Sequence, residues 1–377
     1  MSNSLLIVLA LLLSLGLPTS GPSATSPGSG GAAFPGSGPS ARLERPPLPL
    51  PEGINIATYS VWDPSRRSLP ALPPAVTALS RQAARLTFVP WSFRLTAQGQ
   101  LSPSLPASVL GSLLREVGLD GYGTWALVHN FNGTRFDPVS VSAFLDSPAA
   151  QRRAIQELRQ TVEQWGLDGV QLDFENVPPA QRSALTHFVA DLATALHGAG
   201  KQLTLALPAK ERDLPDNAWA GAFDYRALGE VADQVTLMTY DQHYPGGEPG
   251  PIAAYPWVES VVQYVTSQIP PSRILLGIAG YGYDWPEAGG IGRTVTYSQV
   301  QALQAQYGVT PQWDSRSLSS FLRYMGPQGA RIVWYQDRRS VAQLLNLIPQ
   351  YRLAGFALWR LGQEDPGIWA EVSRRLP

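Results

Sequence analysis

From residue 54 onward, the chain repeats one pattern. Short runs of β-branched and apolar residues alternate with longer stretches whose apolar positions recur every three or four residues. The short runs are INIATYS, RLTFVPW, TWALVHN, GVQLDFE, QLTLALP, QVTLMTY, ILLGIAGYG and AGFALWR, eight in order. The intervening stretches include AAQRRAIQELRQTVEQWG and AQRSALTHFVADLATALHGAG, both amphipathic at helical spacing. Regular strand–helix alternation implies a parallel sheet with both faces covered. Eight such units are the count for a closed (β/α)8 TIM barrel, within the length such barrels need. An open doubly wound sheet is the alternative. The first strand is followed by no Gly-rich phosphate loop, which weighs against its nucleotide-binding form.

One interval breaks the rhythm. About seventy residues separate GIAGYGYDW from AGFALWR. A structureless loop of that size does not suit a compact domain. TVTYSQVQALQAQYG, PQWDSRSLSSFLRYM and ARIVWYQD read instead as a small α+β insertion between strands seven and eight, at about residues 286–335, on the face that carries the site.

The beginning of the chain is different. An apolar run over residues 5–17 is too short to span a bilayer and ends in small residues, as a signal peptide does, though MSNS brings no positive charge. Residues 1–24 are therefore read as a leader, and the protein as secreted or held in the cell envelope. Residues 25–51 are mostly Gly, Ser, Pro and Ala and read as a disordered tether. Residues 52–377 form the barrel.

GVQLDFEN (residues 169–176) is where the alternation has a chemical meaning. In a barrel strand, successive side chains point to the helix layer and to the interior. Val170, Leu172 and Phe174 then face the helices, while Gln171, Asp173 and Glu175 line the interior. Glu175 falls at the C-terminal end of the strand, where sites of this fold sit. Charge on Asp173 disfavours a second charge beside it, so the Glu175 carboxyl should stay protonated to higher pH and can act as a general acid. A nucleophilic carboxylate of an ordinary retaining glycosidase would stand ~5 Å from the acid, and the sequence offers no clear partner for that role. The alternative is attack by the substrate's own 2-acetamido oxygen. The octapeptide also fits a helix start, with Asp173 as cap and PPAQR as first turn.

Composition narrows the class. Lys and Arg number 28 against 29 Asp and Glu, for a net charge of -1, which leaves no basic footprint for nucleic acid and no stripe for an anionic membrane. There are no cysteines and only 4 histidines, so neither a disulfide framework, a thiolate nucleophile nor a metal-ligand set is recognisable. No cofactor is expected, and a monomer is the default. The 11 Trp, 14 Tyr and 11 Phe suit sugar rings as well as a core.

LDGVQLDFEN resembles the DGxxxDxE signature of glycoside hydrolase family 18, the chitinase and N-acetylglucosaminidase family. LMTYDQHYPGGEPGPIAAYPWV, ILLGIAGYGYDW and LAGFALWRLGQEDPGIW are similar to the sixth, seventh and eighth strand regions of its spore-cortex and germination peptidoglycan hydrolase branch, and PQWDSRSLSSFLRYMGPQGARIVWYQD matches that branch's insertion in outline. The likeness covers the chain after the tether.

The resemblance implies a glycosidase cutting β-1,4 bonds at N-acetylglucosamine in peptidoglycan or chitin-type polymers by substrate-assisted, retaining chemistry. By that likeness Glu175 is the acid/base, Asp173 orients the acetamido group, Tyr240 hydrogen-bonds its oxygen, Asp241 lines the same subsite and Trp359 forms the floor. Asp168 supports the strand from below. Asn130 and His129, Tyr59 at the end of the first strand and Tyr281 after the seventh are further candidates for the cleft. The family carries Asp, and this branch often Asn, where this chain has Gln171. An amide there can donate to Asp173 and favour its ionised form, but the extra methylene is felt in a packed interior. A catalytically silent, lectin-like carbohydrate binder on the same barrel is the competing reading.

Overall fold

A computed structural model describes residues 44–61, 73–79, 84–106, 108–111 and 122–377. The expected leader and residues 25–43 of the expected tether lie outside them.

All eight runs form barrel strands: Asn55–Ser60, Arg85–Leu95, Gly123–His129, Gly169–Asp173, Gln202–Pro208, Gln234–Met238, Ile274–Ala279 and Gly355–Trp359. Each pairs in parallel with the next, and the eighth pairs in parallel with the first, Asn55 opposite Gly355, which closes the barrel. A short strand, Leu101–Pro103, adds antiparallel to the second. Two glycines sit where strands come closest: a Cβ on Gly169 would collide with the Gln202 carbonyl, and one on Gly355 with the Asn55 carbonyl.

The strand alternation sorts the core into two layers. Val170, Leu172 and Phe174 join the cluster between strands and helices, as expected, and the Phe174 ring stacks on Phe188 of helix Arg182–His197 at 6.2 Å. The opposite faces build a separate interior cluster that includes Trp125, Leu127, Leu275 and Ala357. Helix Pro148–Gln164 shows how sequence sets the outer layer. Ser147 accepts the Ala150 N–H at 3.3 Å, Pro148 starts the helix, and Ala150, Ala154, Leu158 and Val162 recur every fourth position on the buried face.

The insertion is a five-stranded antiparallel sheet, in the order Arg293–Thr296, Tyr281–Pro286, Gly329–Tyr335, Ser319–Gly326 and Gln312–Asp314, with helix Tyr297–Tyr307 beside it. It ends at the expected boundary but begins at Tyr281, before the expected 286. The apolar run ILLGIAGYG reads as one strand because no polar residue interrupts it. The break is at Gly280, whose N–H donates to the Trp359 carbonyl at 2.7 Å while the following residues leave the barrel for the second sheet.

The expected tether also ends earlier than residue 51. Residues 44–51 run along the barrel's outer helices. The Arg45 N–H donates to Gln343 Oε1 at 3.1 Å, the Leu48 N–H to Asn346 Oδ1 at 2.9 Å and the Leu50 N–H to the Arg375 carbonyl at 2.8 Å, and the Leu50 side chain is buried. Proline-rich composition suggests a free chain, but the same extended backbone leaves polar groups open to side chains on a folded surface.

Candidate active site

Strand Gly169–Asp173 brings Gln171 and Asp173 into the barrel interior, and Glu175 follows two residues past its end. All three are buried, with 0, 5 and 8% exposure. No helix begins at Asp173; the next helical residues are the turn Pro179–Gln181 and helix Arg182–His197, neither of which has a side-chain cap. That removes the helix-start reading. Asn176, at φ 58°, takes a left-handed conformation that Asn tolerates better than most residues, and the chain turns there directly after Glu175.

Asn130 fixes the acid's backbone. Its Oδ1 accepts the Glu175 N–H at 2.9 Å and its Nδ2 donates to the Glu175 carbonyl at 2.8 Å. Asn130 is therefore a clamp under Glu175 and not the sugar contact the sequence suggests: it is buried and does not line the cavity. His129 does not reach the cleft either. Its Nδ1 accepts the Phe131 N–H at 3.1 Å, its Nε2 meets the Ser104 hydroxyl at 2.9 Å, and the ring stacks on Trp91. Burial, then Arg94, lowers its pKa to about 3, so it is neutral, with Nε2 donating. Asp168 accepts the Thr124 N–H at 2.8 Å near the start of the third barrel strand, supporting the strand from below as expected.

The expected bond from Gln171 to Asp173 does not form. Gln171 Oε1 accepts instead from the Thr204 hydroxyl at 2.7 Å, on the neighbouring strand. Gln171 Nε2 and Asp173 Oδ1 are both buried without a hydrogen-bond partner. The longer side chain reaches sideways across the sheet rather than along its own strand.

With few donors to offset burial, the carboxyls bind their protons more tightly than exposed ones do. Burial pushes Asp173 up to about 7. Glu175 rises well above the usual carboxylate range, first through burial and then through the charges of Asp173 and Asp241. Burial also raises Asp241, to about 6, against the pull of two hydroxyls: Tyr283 and Tyr281 both donate to its Oδ1, at 2.6 and 2.7 Å. Asp241 itself sits at φ 56°, another left-handed residue just past a strand end. Burial, then nearby Tyr59 and the carboxylates, keeps the Tyr240 hydroxyl protonated, so it remains a donor.

A cavity of about 220 Å³ opens at this end of the barrel, and Asp173, Glu175, Tyr240, Asp241, Trp359 and Tyr59 all line it. Tyr59 and Trp359 meet edge to face at 5.6 Å, and the Tyr59 hydroxyl bonds Thr236 at 3.0 Å. Tyr281 also lines the cavity, though its hydroxyl is turned to Asp241. Of the residues expected at the site, Gln171, Asn130 and His129 do not line the cavity, whereas Asp173, Glu175, Tyr240, Asp241, Trp359, Tyr59 and Tyr281 do.

Sequence reading missed Tyr283, Trp219, Trp257 and Met238, which line the same space. Tyr283 lies one residue past the run ILLGIAGYG that reads as the seventh barrel strand. Its period-two spacing from Tyr281 was the available signal. Trp219 and Trp257 lie on a loop and a helix, with no periodicity tying them to the strand ends.

Among the described residues, no helix is long and apolar enough to cross a membrane, and no three His, Cys, Asp or Glu side chains are grouped to hold a metal ion.

Residues 130–364 match the model for Glycosyl hydrolases family 18. The chain is 30% identical over 281 residues to a cortical fragment-lytic enzyme of Bacillus subtilis, covering 73% of this chain and 65% of that protein. It thus spans about two thirds of that relative's length. A chitinase from Chromobacterium violaceum superposes with a TM-score of 0.75 at 28% identity, over 86% of this chain and 99% of that one. The Bacillus megaterium spore cortex-lytic enzyme SleL superposes with a TM-score of 0.74 at 26% identity, over 88% and 76%.

Proposed function

The chain belongs to Glycosyl hydrolases family 18 and is a glycoside hydrolase, and from that premise we propose that it cuts β-1,4 bonds at N-acetylglucosamine in peptidoglycan or chitin-type polymers by substrate-assisted, retaining chemistry. The observation that carries this reading is Glu175, a buried carboxyl pushed well above its usual range beside Asp173, in a cavity walled by Tyr240, Asp241 and Trp359.

Protonated Glu175 gives its proton to the glycosidic oxygen as the bond to C1 breaks. The acetamido carbonyl oxygen of the same sugar forms the new bond to C1, so no enzyme nucleophile is needed. Asp173, ionised, accepts the acetamido N–H and offsets the positive charge that develops on the oxazolinium ring. Tyr240, a donor, holds the attacking carbonyl oxygen in place, and Trp359 supports the apolar face of the ring. In the second half, the Glu175 carboxylate takes a proton from water, whose oxygen attacks C1 as the bond from C1 to the acetamido oxygen breaks, which regenerates the acetamido group and restores the original configuration.

Such a pair must share one proton between two carboxyls. Burial of both, and the charge of Asp173 on Glu175, provides that condition. Peptidoglycan is favoured by the named activities of the relatives from Bacillus, and chitin by that of the Chromobacterium chitinase. The leader-like run over residues 5–17 supports export to the envelope or beyond.

The test is to incubate the protein with N-acetylglucosamine oligomers and with purified peptidoglycan, and to look for new reducing ends by mass spectrometry. Release from one substrate, lost in Glu175→Gln, is expected. Release that persists undiminished in the variant would overturn the assignment of the acid.

A further inference from the structure

The barrel strand that carries Trp359 to the cavity ends there, and the loop after it is pinned from three sides. The Leu361 N–H donates to the Tyr59 carbonyl at 3.0 Å, on the first barrel strand. The Gln363 carbonyl accepts the Tyr297 N–H at 2.8 Å, from the helix of the insertion. Glu364 accepts the Gly362 N–H at 2.7 Å and the Trp369 indole N–H at 3.0 Å, from helix Gly367–Arg375. Arg360 is the first residue of this fixed loop. It is 8% exposed and lines the cavity.

Among the described residues that line the cavity, Arg360 alone is cationic, beside the carboxyls of Asp173, Glu175 and Asp241. Its charge does not serve those three. Burial raises Asp173, the charges that act on Glu175 are those of Asp173 and Asp241, and the hydroxyls of Tyr283 and Tyr281 hold Asp241. The acid pair therefore works without the guanidinium. Keeping a cation so little exposed is costly. A neutral polymer of N-acetylglucosamine gives it nothing to pair with. A glycan that bears a carboxylate, by contrast, meets like charge from an ionised Asp173 and needs a cation in the wall to be admitted.

We propose that Arg360 is a specificity-determining residue, which takes a carboxylate on the hexosamine next to the one over Trp359; in peptidoglycan this is the free lactyl carboxylate of N-acetylmuramic acid. This rests on the glycosidase reading above and chooses between its two polymers. A planar guanidinium can give two parallel N–H bonds to a carboxylate, a match that a hydroxyl cannot reproduce. The choice also implies an order of events. Where a peptide is attached, the lactyl carbonyl is an amide and carries no charge. Hydrolysis of that amide, in which water adds its oxygen to the carbonyl and the peptide leaves as an amine, frees the carboxylate. A reaction of that class must come before this enzyme on strands that carry peptides.

Calorimetric binding to the full chain carrying Glu175→Gln tests this without turnover. The probes are a peptide-free tetrasaccharide of alternating N-acetylglucosamine and N-acetylmuramic acid, the same glycan with its lactyl carboxyls reduced to alcohols, and the tetramer of N-acetylglucosamine. The acidic glycan should bind roughly ten- to a hundredfold more tightly than its reduced form, the weight of a hydrogen-bonded charge pair. Adding Arg360→Gln should bring that ratio close to one, and Arg360→Lys should leave it in between, since a point charge remains without the fork. Equal binding of the acidic and reduced glycans by the Glu175→Gln chain overturns the proposal with no change at Arg360. A ratio that persists in Arg360→Gln also overturns it. Failure of all three glycans to bind overturns the sugar reading of the whole cavity, and the role of Arg360 with it.

Discussion

Two carboxylates of this molecule are equally hidden and chemically opposite. Asp284, on the first strand of the insertion sheet, has no exposed surface. It receives Arg293 at 2.7 Å, Arg331 at 2.8 Å and the Tyr324 hydroxyl at 2.8 Å, so both its oxygens are filled by cationic or hydroxyl donors. Asp173, on the fourth barrel strand, has one oxygen without a partner, and its neighbour Glu175 is held by its backbone only. Burial alone therefore does not mark a catalytic carboxyl. What distinguishes the barrel pair is the withholding of donors, which leaves a protonated carboxyl ready to give its proton away.

The most forceful way to break this comparison is to neutralise one member of each pair. Glu175→Gln should lower turnover by roughly two to four orders of magnitude, the weight of general acid–base catalysis, with far less change in substrate binding. Steady-state rates beside oligomer binding would show it. Asp284→Ala should act on stability instead. Removing one partner of a buried ion pair costs about 3 kcal/mol or more, so denaturant unfolding should shift while the pH–rate profile keeps its shape.

The pH dependence of stability sharpens the contrast. Asp173 has a folded pKa of about 7 against an ordinary 3.8. The folded state thus binds this proton more tightly than the unfolded one. The stability gained is fully present below about pH 4 and is lost as pH rises to about 7, on the order of 4 kcal/mol by that shift. Asp173→Asn should flatten this fall, as read by unfolding midpoints across the range. A fall that is just as steep in the variant would place the titration elsewhere.

Smaller effects concern support. Asn130→Ala removes both hydrogen bonds to the Glu175 backbone, each worth about 1 kcal/mol, and should lower kcat by about tenfold while KM moves little. Gln171→Asn is the mildest. It loses the reach to Thr204, and activity should stay within about threefold of the parent or rise, since no bond from position 171 to Asp173 is lost. A collapse in activity would give the longer amide a role of its own.

The contrast between the two regions also shows what the sequence can carry. All eight barrel strands were legible because alternation and helical spacing are local, and closure followed from their number. Asp173, Glu175, Tyr240, Asp241 and Trp359 were legible because strand ends converge in this fold and the motifs fall on them. Contacts between distant segments were not. Nothing in Asn130 reveals that it will bind a backbone 45 residues away, and nothing in Gln171 that it will turn to Thr204. Tyr283 was hidden by a strand that changes sheet at Gly280, and residues 44–51 by a composition that reads as free chain yet docks on Gln343 and Asn346.

The claim that donor-poor burial keeps the Glu175 carboxyl protonated can be read directly by infrared difference spectroscopy of the protein against Glu175→Gln at pH 7. The account predicts a protonated carboxyl C=O band that is present in the parent and absent in the variant. A difference spectrum containing only the bands of an ionised carboxylate would contradict it.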